Sequence, residues 1–351
     1  MMRSNITRWL SLLALMALLF FGLGEVLSRA LNLVDRANGF PRKLFVAAPE
    51  TGLSYRMRPG VDGTVRGVPV RTNQLGFRGP EVERLPGPAV RRVVILGDSV
   101  TFGFRMPETE IFPTLIAEQL AETTDAPWEI LNFGVEGYNT VAELEVLRST
   151  ALDLRPETVV LVLNLNDYDE TPSVGPRGVL TLNREETISA WSPAHVSEFY
   201  LLLQWLIRTG GSVWFGEPAP PPSSAAVSTE FEPLDLYVSA LRKEYWRNPT
   251  DSRMATMHAA LREIKRETEE RNIGLLIVIL PDGDQIGAAK ADMIPQIRLE
   301  KICAEEELDC LDLHPVFAQS QTPNLFMDIM HPNAAGHALV AEAIASRLGN
   351  R

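Results

Sequence analysis

The sequence predicts an α/β protein: a three-layer α/β/α sandwich around a roughly five-stranded parallel sheet in flavodoxin-like order, preceded by an N-terminal membrane helix. Three observations carry this. Short continuous apolar runs recur along the chain, stretches of helical length and spacing separate most of them, and the first run ends in Gly97-Asp98-Ser99. Such runs suit strands buried on both faces of a parallel sheet. Alternation with helices implies right-handed crossovers.

The chain opens with Arg3 and Arg8 ahead of an uncharged apolar run over 9–24. Positive charge before such a run keeps the N-terminus in the cytoplasm and sends the downstream chain across the membrane. The run is a little short of the ~20 residues that span a bilayer, so a cleaved signal peptide is the alternative to an anchor. Val26, Leu27, Ala30 and Leu31 extend the apolar face past Glu25, and the stretch contains no A-x-A site. Residues 1–36 are therefore read as a signal-anchor, which places the main domain in the periplasm or outside the cell. Secretion after cleavage is the second reading.

Residues 37–89 carry many Gly and Pro and short alternating stretches such as Gly67-Val68-Pro69-Val70-Arg71, as a small β-rich entry segment would. The main domain, 90–351, contains strand candidates at 93–96, 128–132, 158–163, 273–280 and 308–313. Helix candidates lie at 111–123, 140–152, 253–271, 293–307 and 334–348. The expected strand order is 2-1-3-4-5. Between the third and fourth strands an insertion at about 170–250 is too long for an ordinary connection. It contains a Pro-rich tract, 218–224, and an apolar stretch, 199–207, too short to span a membrane. For that stretch a core helix, a lid and a surface-lying membrane contact stay open.

A formal net charge of -12 argues against a nucleic-acid partner, because neutralising phosphates requires clustered Lys and Arg. The two cysteines, Cys303 and Cys310, would share the oxidising compartment. A disulfide and two buried thiols are both compatible with the sequence. Their spacing fits no common zinc pattern.

A serine hydroxyl attacks a carbonyl only when a base takes its proton and donors stabilise the oxyanion. Ser99 comes directly after an apolar strand, at the sheet edge where ligands bind in open α/β sheets. Gly97-Asp98-Ser99-Val100 resembles the nucleophile motif of the SGNH (GDSL-type) hydrolases. Asn132-Phe133-Gly134-Val135-Glu136-Gly137-Tyr138 resembles their second segment, in which Gly137 matches the oxyanion donor. In Asn164-Leu165-Asn166-Asp167, Asn166 matches the side-chain oxyanion donor, and Asn164 stands where the family usually has glycine. Asp328-Ile329-Met330-His331 closely resembles the Asp-x-x-His catalytic segment. Pro332 biases His331 out of the α region, and Asn333 is the expected cap of the last helix.

The four segments occur in the family's order and span 97–337. The resemblance implies Ser99, Asp328 and His331 as catalytic residues and Ser99, Gly137 and Asn166 as the oxyanion hole, with no metal and no cofactor. It implies a serine ester hydrolase working through an acyl-Ser99 intermediate on an ester substrate, with small acyl groups such as acetyl on a carbohydrate or envelope polymer. An O-acyltransferase using the same three residues is the first alternative, and a non-catalytic envelope binding module the second. The segment 71–79, Arg-Thr-Asn-Gln-Leu-Gly-Phe-Arg-Gly, resembles one that precedes the nucleophile strand in membrane-anchored members, with no role assigned by the sequence. Asp312-Leu313-His314, at the end of the fifth strand, reads as structural, and His337 lies off the face of His331, against a metal pair.

Overall fold

A computed structural model describes residues 2–31, 33, 44–65, 67–169, 171–174, 180–181, 197, 199–200, 202–203, 206, 239–240, 243–248, 251–287 and 291–350. The Pro-rich tract and most of the insertion, including part of the apolar stretch, lie outside the described residues.

The chain begins with helix α1 (Met2–Ala30). Its window Ser11–Ala30 has a mean hydropathy of 2.0 with 6% of it buried, so by length and composition it can cross a bilayer. Gly24 does not end the helix; the ring of Phe199 packs where a Gly24 Cβ would stand. Next to it, Glu25 pairs with Arg29 and accepts hydrogen bonds from Ser197 Oγ and Phe199 N–H, at 2.9 and 3.0 Å. The charge that ends the apolar run is thereby satisfied.

The entry segment forms two antiparallel ladders, β1 (Phe45–Ala48) with β2 (Leu53–Met57) and β3 (Asp62–Val65) with β4 (Val68–Arg71). Then come β5 (Arg91–Gly97), the one-turn helix α2 (Ser99–Phe102), α3 (Phe112–Thr123), β6 (Trp128–Gly134), α4 (Thr140–Val146) and β7 (Thr158–Leu163). A two-residue ladder pairs β8 (Ser173–Val174) with β9 (Leu180–Thr181). The chain closes with α5 (Ser252–Glu269), β10 (Gly274–Ile279), α6 (Ile294–Glu305), β11 (Cys310–Asp312), α7 (His314–Gln319) and α8 (Ala334–Gly349). Strands β6-β5-β7-β10-β11 make one five-stranded sheet, all parallel, so the expected 2-1-3-4-5 order is the observed one.

Alternating residues of the central strands feed two cores. Val94, Leu96, Val159, Leu161, Ile277 and Ile279 meet Leu144, Leu261, Ile264 and Leu299 of the helices and Tyr55 and Met57 of the entry segment. Val93, Ile95, Val160, Val162, Leu276 and Val278 meet Phe112, Ile116 and Leu120 of α3 and Val340, Ile344 and Leu348 of α8. Burying each such side chain stabilises by roughly 1.5–3 kcal/mol, which fixes the register of the three central strands β5, β7 and β10.

Two expectations are adjusted. The helix expected over 140–152 is regular only to Val146; a π turn, Leu147–Ala151, and a 3₁₀ turn, Leu152–Leu154, complete it before Arg155 at φ 51°. The last strand is shorter than 308–313, as befits a sheet edge. Cys303 and Cys310 form a disulfide, with Cα atoms 6.2 Å apart, tying α6 to β11.

Candidate active site

Strand register places the site. Leu96 of β5 pairs with Phe133 of β6 on one side and Leu161 of β7 on the other, so the three strands end at a common edge. Ser99, Gly137 and Asn166 come just after those three ends. Asp98 caps α2 through an Oδ1 that accepts the Val100 N–H at 2.8 Å. Ser99 opens that helix and is 9% exposed.

His331 arrives from the opposite end of the chain, on the segment entering α8. Its Nε2 lies 2.9 Å from Ser99 Oγ, and its Nδ1 lies 2.8 Å from both carboxylate oxygens of Asp328. A carboxylate only accepts, so Nδ1 carries the proton and Nε2 is left to accept from the serine. Asp328 Oδ1 also accepts the N–H groups of Met330 and His331, both at 2.9 Å. Burial, the largest single influence, pushes the Asp328 carboxyl up, but the hydrogen bond to His331, its charge and the two backbone N–H groups together outweigh burial and hold the group below the usual carboxylate range. The segment is braced by Met327 N–H to His331 O, Gly283 N–H to Ile329 O, and Asn333 capping Ala335 and Gly336 at 3.0 and 3.1 Å, as expected of Asn333.

Gly137 has φ 79°, and a Cβ there would meet Tyr55 Oη at 2.8 Å, so both backbone and space require glycine. The surrounding loop is held by a reciprocal pair: Tyr55 Oη donates to Glu136 O and Tyr138 Oη to Tyr55 O, each at 2.6 Å. No hydrogen bond joins Gly137 N–H or the Asn166 side-chain amide to another described residue, which leaves both free for a ligand.

Asn164 departs from glycine for a local reason. Its Nδ2 donates to Asp98 Oδ1 at 2.5 Å, and its N–H donates to Asp167 Oδ2 at 3.0 Å. Beneath lies Glu143, fully buried, with neither carboxylate oxygen hydrogen-bonded to a described residue. Burial, then the charge of Asp98, pushes the Glu143 carboxyl up; burial, then Glu143 and Asp98, does the same to Asp167. Nothing in the motif spacing marks Glu143, because its neighbours come from other strands.

The other histidines stand apart. His314 contacts Gln285 O, and Asp312 caps its N–H at 2.9 Å. His337 is buried, and its Nδ1 accepts from Phe112 N–H at 3.2 Å; burial lowers its pKa to about 3, with Arg78 and His331 adding to the effect. Among the described residues no group of three or more His, Cys, Asp or Glu is placed to hold a metal ion. Sequence reasoning missed Phe104, whose ring stacks on His331 with centroids 3.9 Å apart and planes 20° apart. Its one signal was position, directly after the glycine that ends the turn carrying Ser99.

Residues 95–339 match the model of the GDSL-like lipase/acylhydrolase family. Among solved structures, an acetyl xylan esterase is 16% identical, covering 73% of this chain and 99% of its own, with a TM-score of 0.43. A lipase/acylhydrolase from Enterococcus faecalis is 14% identical, covering 74% and 96%, with a TM-score of 0.43. No curated protein matches the sequence.

Proposed function

The chain belongs to the GDSL-like lipase/acylhydrolase family and is an esterase of the SGNH type, and from that premise we propose that Ser99, His331 and Asp328 are its catalytic residues. The observation that carries the proposal is the continuous chain Ser99 Oγ, His331 Nε2, His331 Nδ1, Asp328, at 2.9 and 2.8 Å. Ser99 Oγ attacks the ester carbonyl as His331 Nε2 takes its proton. Asp328 keeps Nδ1 protonated and stabilises the imidazolium. The N–H groups of Ser99 and Gly137 and the Asn166 amide receive the oxyanion. As the C–O bond breaks, His331 returns the proton to the departing alcohol, leaving acyl-Ser99. Water, deprotonated by the same imidazole, then releases the acid and regenerates the hydroxyl.

The substrate is an extracytoplasmic carbohydrate or envelope ester bearing a small, acetyl-like acyl group. Its location is supported by the apolar α1, which anchors the chain with its catalytic domain beyond the membrane, and by the disulfide, which persists in an oxidising compartment. The acyl size rests on the four motifs and their family resemblance.

A panel of aryl esters from acetyl to long acyl, given to full-length protein in detergent, tests this. Turnover should be highest for acetyl, and with acetylated oligosaccharide free acetate should appear. Preference for long chains would overturn the substrate class. Acetyl passing to a sugar hydroxyl in place of water would mark a transferase.

A further inference from the structure

The segment 71–79 has no part in the chemistry above, yet its buried polar residues each have specific bonds. Thr72 Oγ1 donates to Arg58 O at 2.6 Å and accepts Val61 N–H at 2.9 Å. Asn73 Oδ1 accepts the N–H groups of Leu75 and Phe77 at 3.0 and 3.1 Å, and its Nδ2 donates to Pro80 O at 3.1 Å. Gly76, at φ 87°, passes so close to Met57 O that a Cβ would lie 2.4 Å from it. Phe77 stacks flat on Phe133 at 3.8 Å. This framework delivers one charged side chain, Arg78, to the underside of the nucleophile turn.

Arg78 is 2% exposed. Its Nη1 donates to Phe102 O and Gly103 O at 3.0 and 2.9 Å, and its Nη2 to Met106 O at 2.7 Å. Phe102 and Gly103 end helix α2, whose last carbonyls lack helical partners. The far side of the same turn is fixed by Phe104 N–H donating to Ser99 O at 2.9 Å. Phe104 sits between the carbonyls that Arg78 grips, and its ring covers a face of His331. Burial lowers the Arg78 pKa to about 10, against the opposing pull of Glu108 and Glu136. Burying a cation whose hydrogen bonds all end on carbonyls is an expensive way to brace a loop for stability alone.

We infer that Arg78 is a positioning residue for catalysis: it fixes the 102–106 loop so that Phe104 holds the His331 ring in line with Ser99 Oγ. This rests on the assignment of Ser99 and His331 as nucleophile and base. The planar fork of arginine matters, because three carbonyls at fixed angles are served by two terminal nitrogens. A lysine point charge cannot reproduce that. A cavity of about 300 Å³, lined by Arg78 together with Asn73, Val82, Ile111 and Phe133, gives small molecules a route to Arg78 itself.

The test uses full-length protein in detergent with 4-nitrophenyl acetate. Arg78→Lys and Phe104→Leu should each lower kcat about 10–100-fold, the size expected of a small misalignment, with KM changed less than about threefold. Phe104→Tyr, which keeps the flat ring, should retain near-normal kcat. Arg78→Lys combined with Phe104→Leu should be hardly worse than either alone, because both act through one contact. In Arg78→Ala, millimolar ethylguanidinium should restore part of kcat. If Arg78→Ala does not fold, Arg78→Lys, which keeps the buried charge, decides for Arg78, and wild-type kcat in it would overturn the inference. Wild-type kcat in folded Phe104→Leu, or multiplying losses in the double variant, would overturn the inference. Esterase activity surviving in Ser99→Ala would instead overturn the catalytic assignment beneath it.

Discussion

Asn164 Nδ2 donates to Asp98 Oδ1 across 2.5 Å, binding the end of β7 to the residue that caps the helix opened by Ser99. Asn164 occupies the place of a family glycine, so Asn164→Gly restores the usual residue while removing a donor from a buried carboxylate. The variant should lose about 1.5–3 kcal/mol of stability, the range for hydrogen bonds to charged groups. Urea unfolding measures it; an unchanged midpoint would mean that Asp98 finds another donor.

Ser99→Ala and His331→Ala should each abolish most turnover without unfolding the protein, and the double variant should be little worse, because the residues act as a unit. Asn166→Ala should reduce kcat by about 10²–10³ and affect binding less. Asp328→Asn should lower activity, because it puts an amide donor in place of one carboxylate oxygen facing His331 Nδ1 and so disturbs the His331 tautomer. Against burial, His331 and the two backbone N–H groups hold the Asp328 carboxyl below the ordinary range, which favours its ionised form as the partner of His331. Steady-state kinetics across pH 4–9 reads all four.

His337 is a base whose pKa folding lowers to about 3. Between that value and the unfolded value of ~6.5 the unfolded chain binds a proton that the native state refuses. Its contribution is therefore complete above pH ~6.5 and declines by up to about 1.4 kcal/mol per pH unit on acidification. His337→Asn, which keeps an acceptor for Phe112 N–H, should flatten the fall of urea midpoint between about pH 6.5 and 5. An unchanged slope would show that His337 does not carry it.

Glu143 has the opposite sign. Its carboxyl is raised by burial and by Asp98, so the native state keeps a proton that the unfolded chain releases above ~4.3, and stability falls as pH rises through the native value. Glu143→Gln should raise the melting temperature more at about pH 8 than at about pH 5. Equal shifts at both would argue for packing instead of ionisation.

The Cys303–Cys310 disulfide closes a short loop, with a sequence separation of 7. Loop-closure entropy for such a length is about 2–2.5 kcal/mol. Cys303→Ser with Cys310→Ser should destabilise by up to that amount, and unfolded, unreduced wild type should show no free thiol. Two titratable thiols would refute the pairing.

By itself the sequence determined the fold class, the strand order and the sheet edge that carries Ser99, because these depend on local apolar period, on crossover handedness and on turn residues adjacent in the chain. It also marked Ser99, Gly137, Asn166, Asp328 and His331, since each sits in a short segment with its own signature. What joins residues far apart in sequence was left to the tertiary structure. Ser99 and His331 are 232 positions apart and meet only once β5 is central and α8 packs beside it. The same holds for Arg78 beneath the turn that carries Ser99, Phe104 on the His331 ring, Asn164 on Asp98 and the choice of disulfide over two thiols. Each is a contact between elements, and its existence depends on where burial of the two cores sets those elements, a quantity no local pattern encodes.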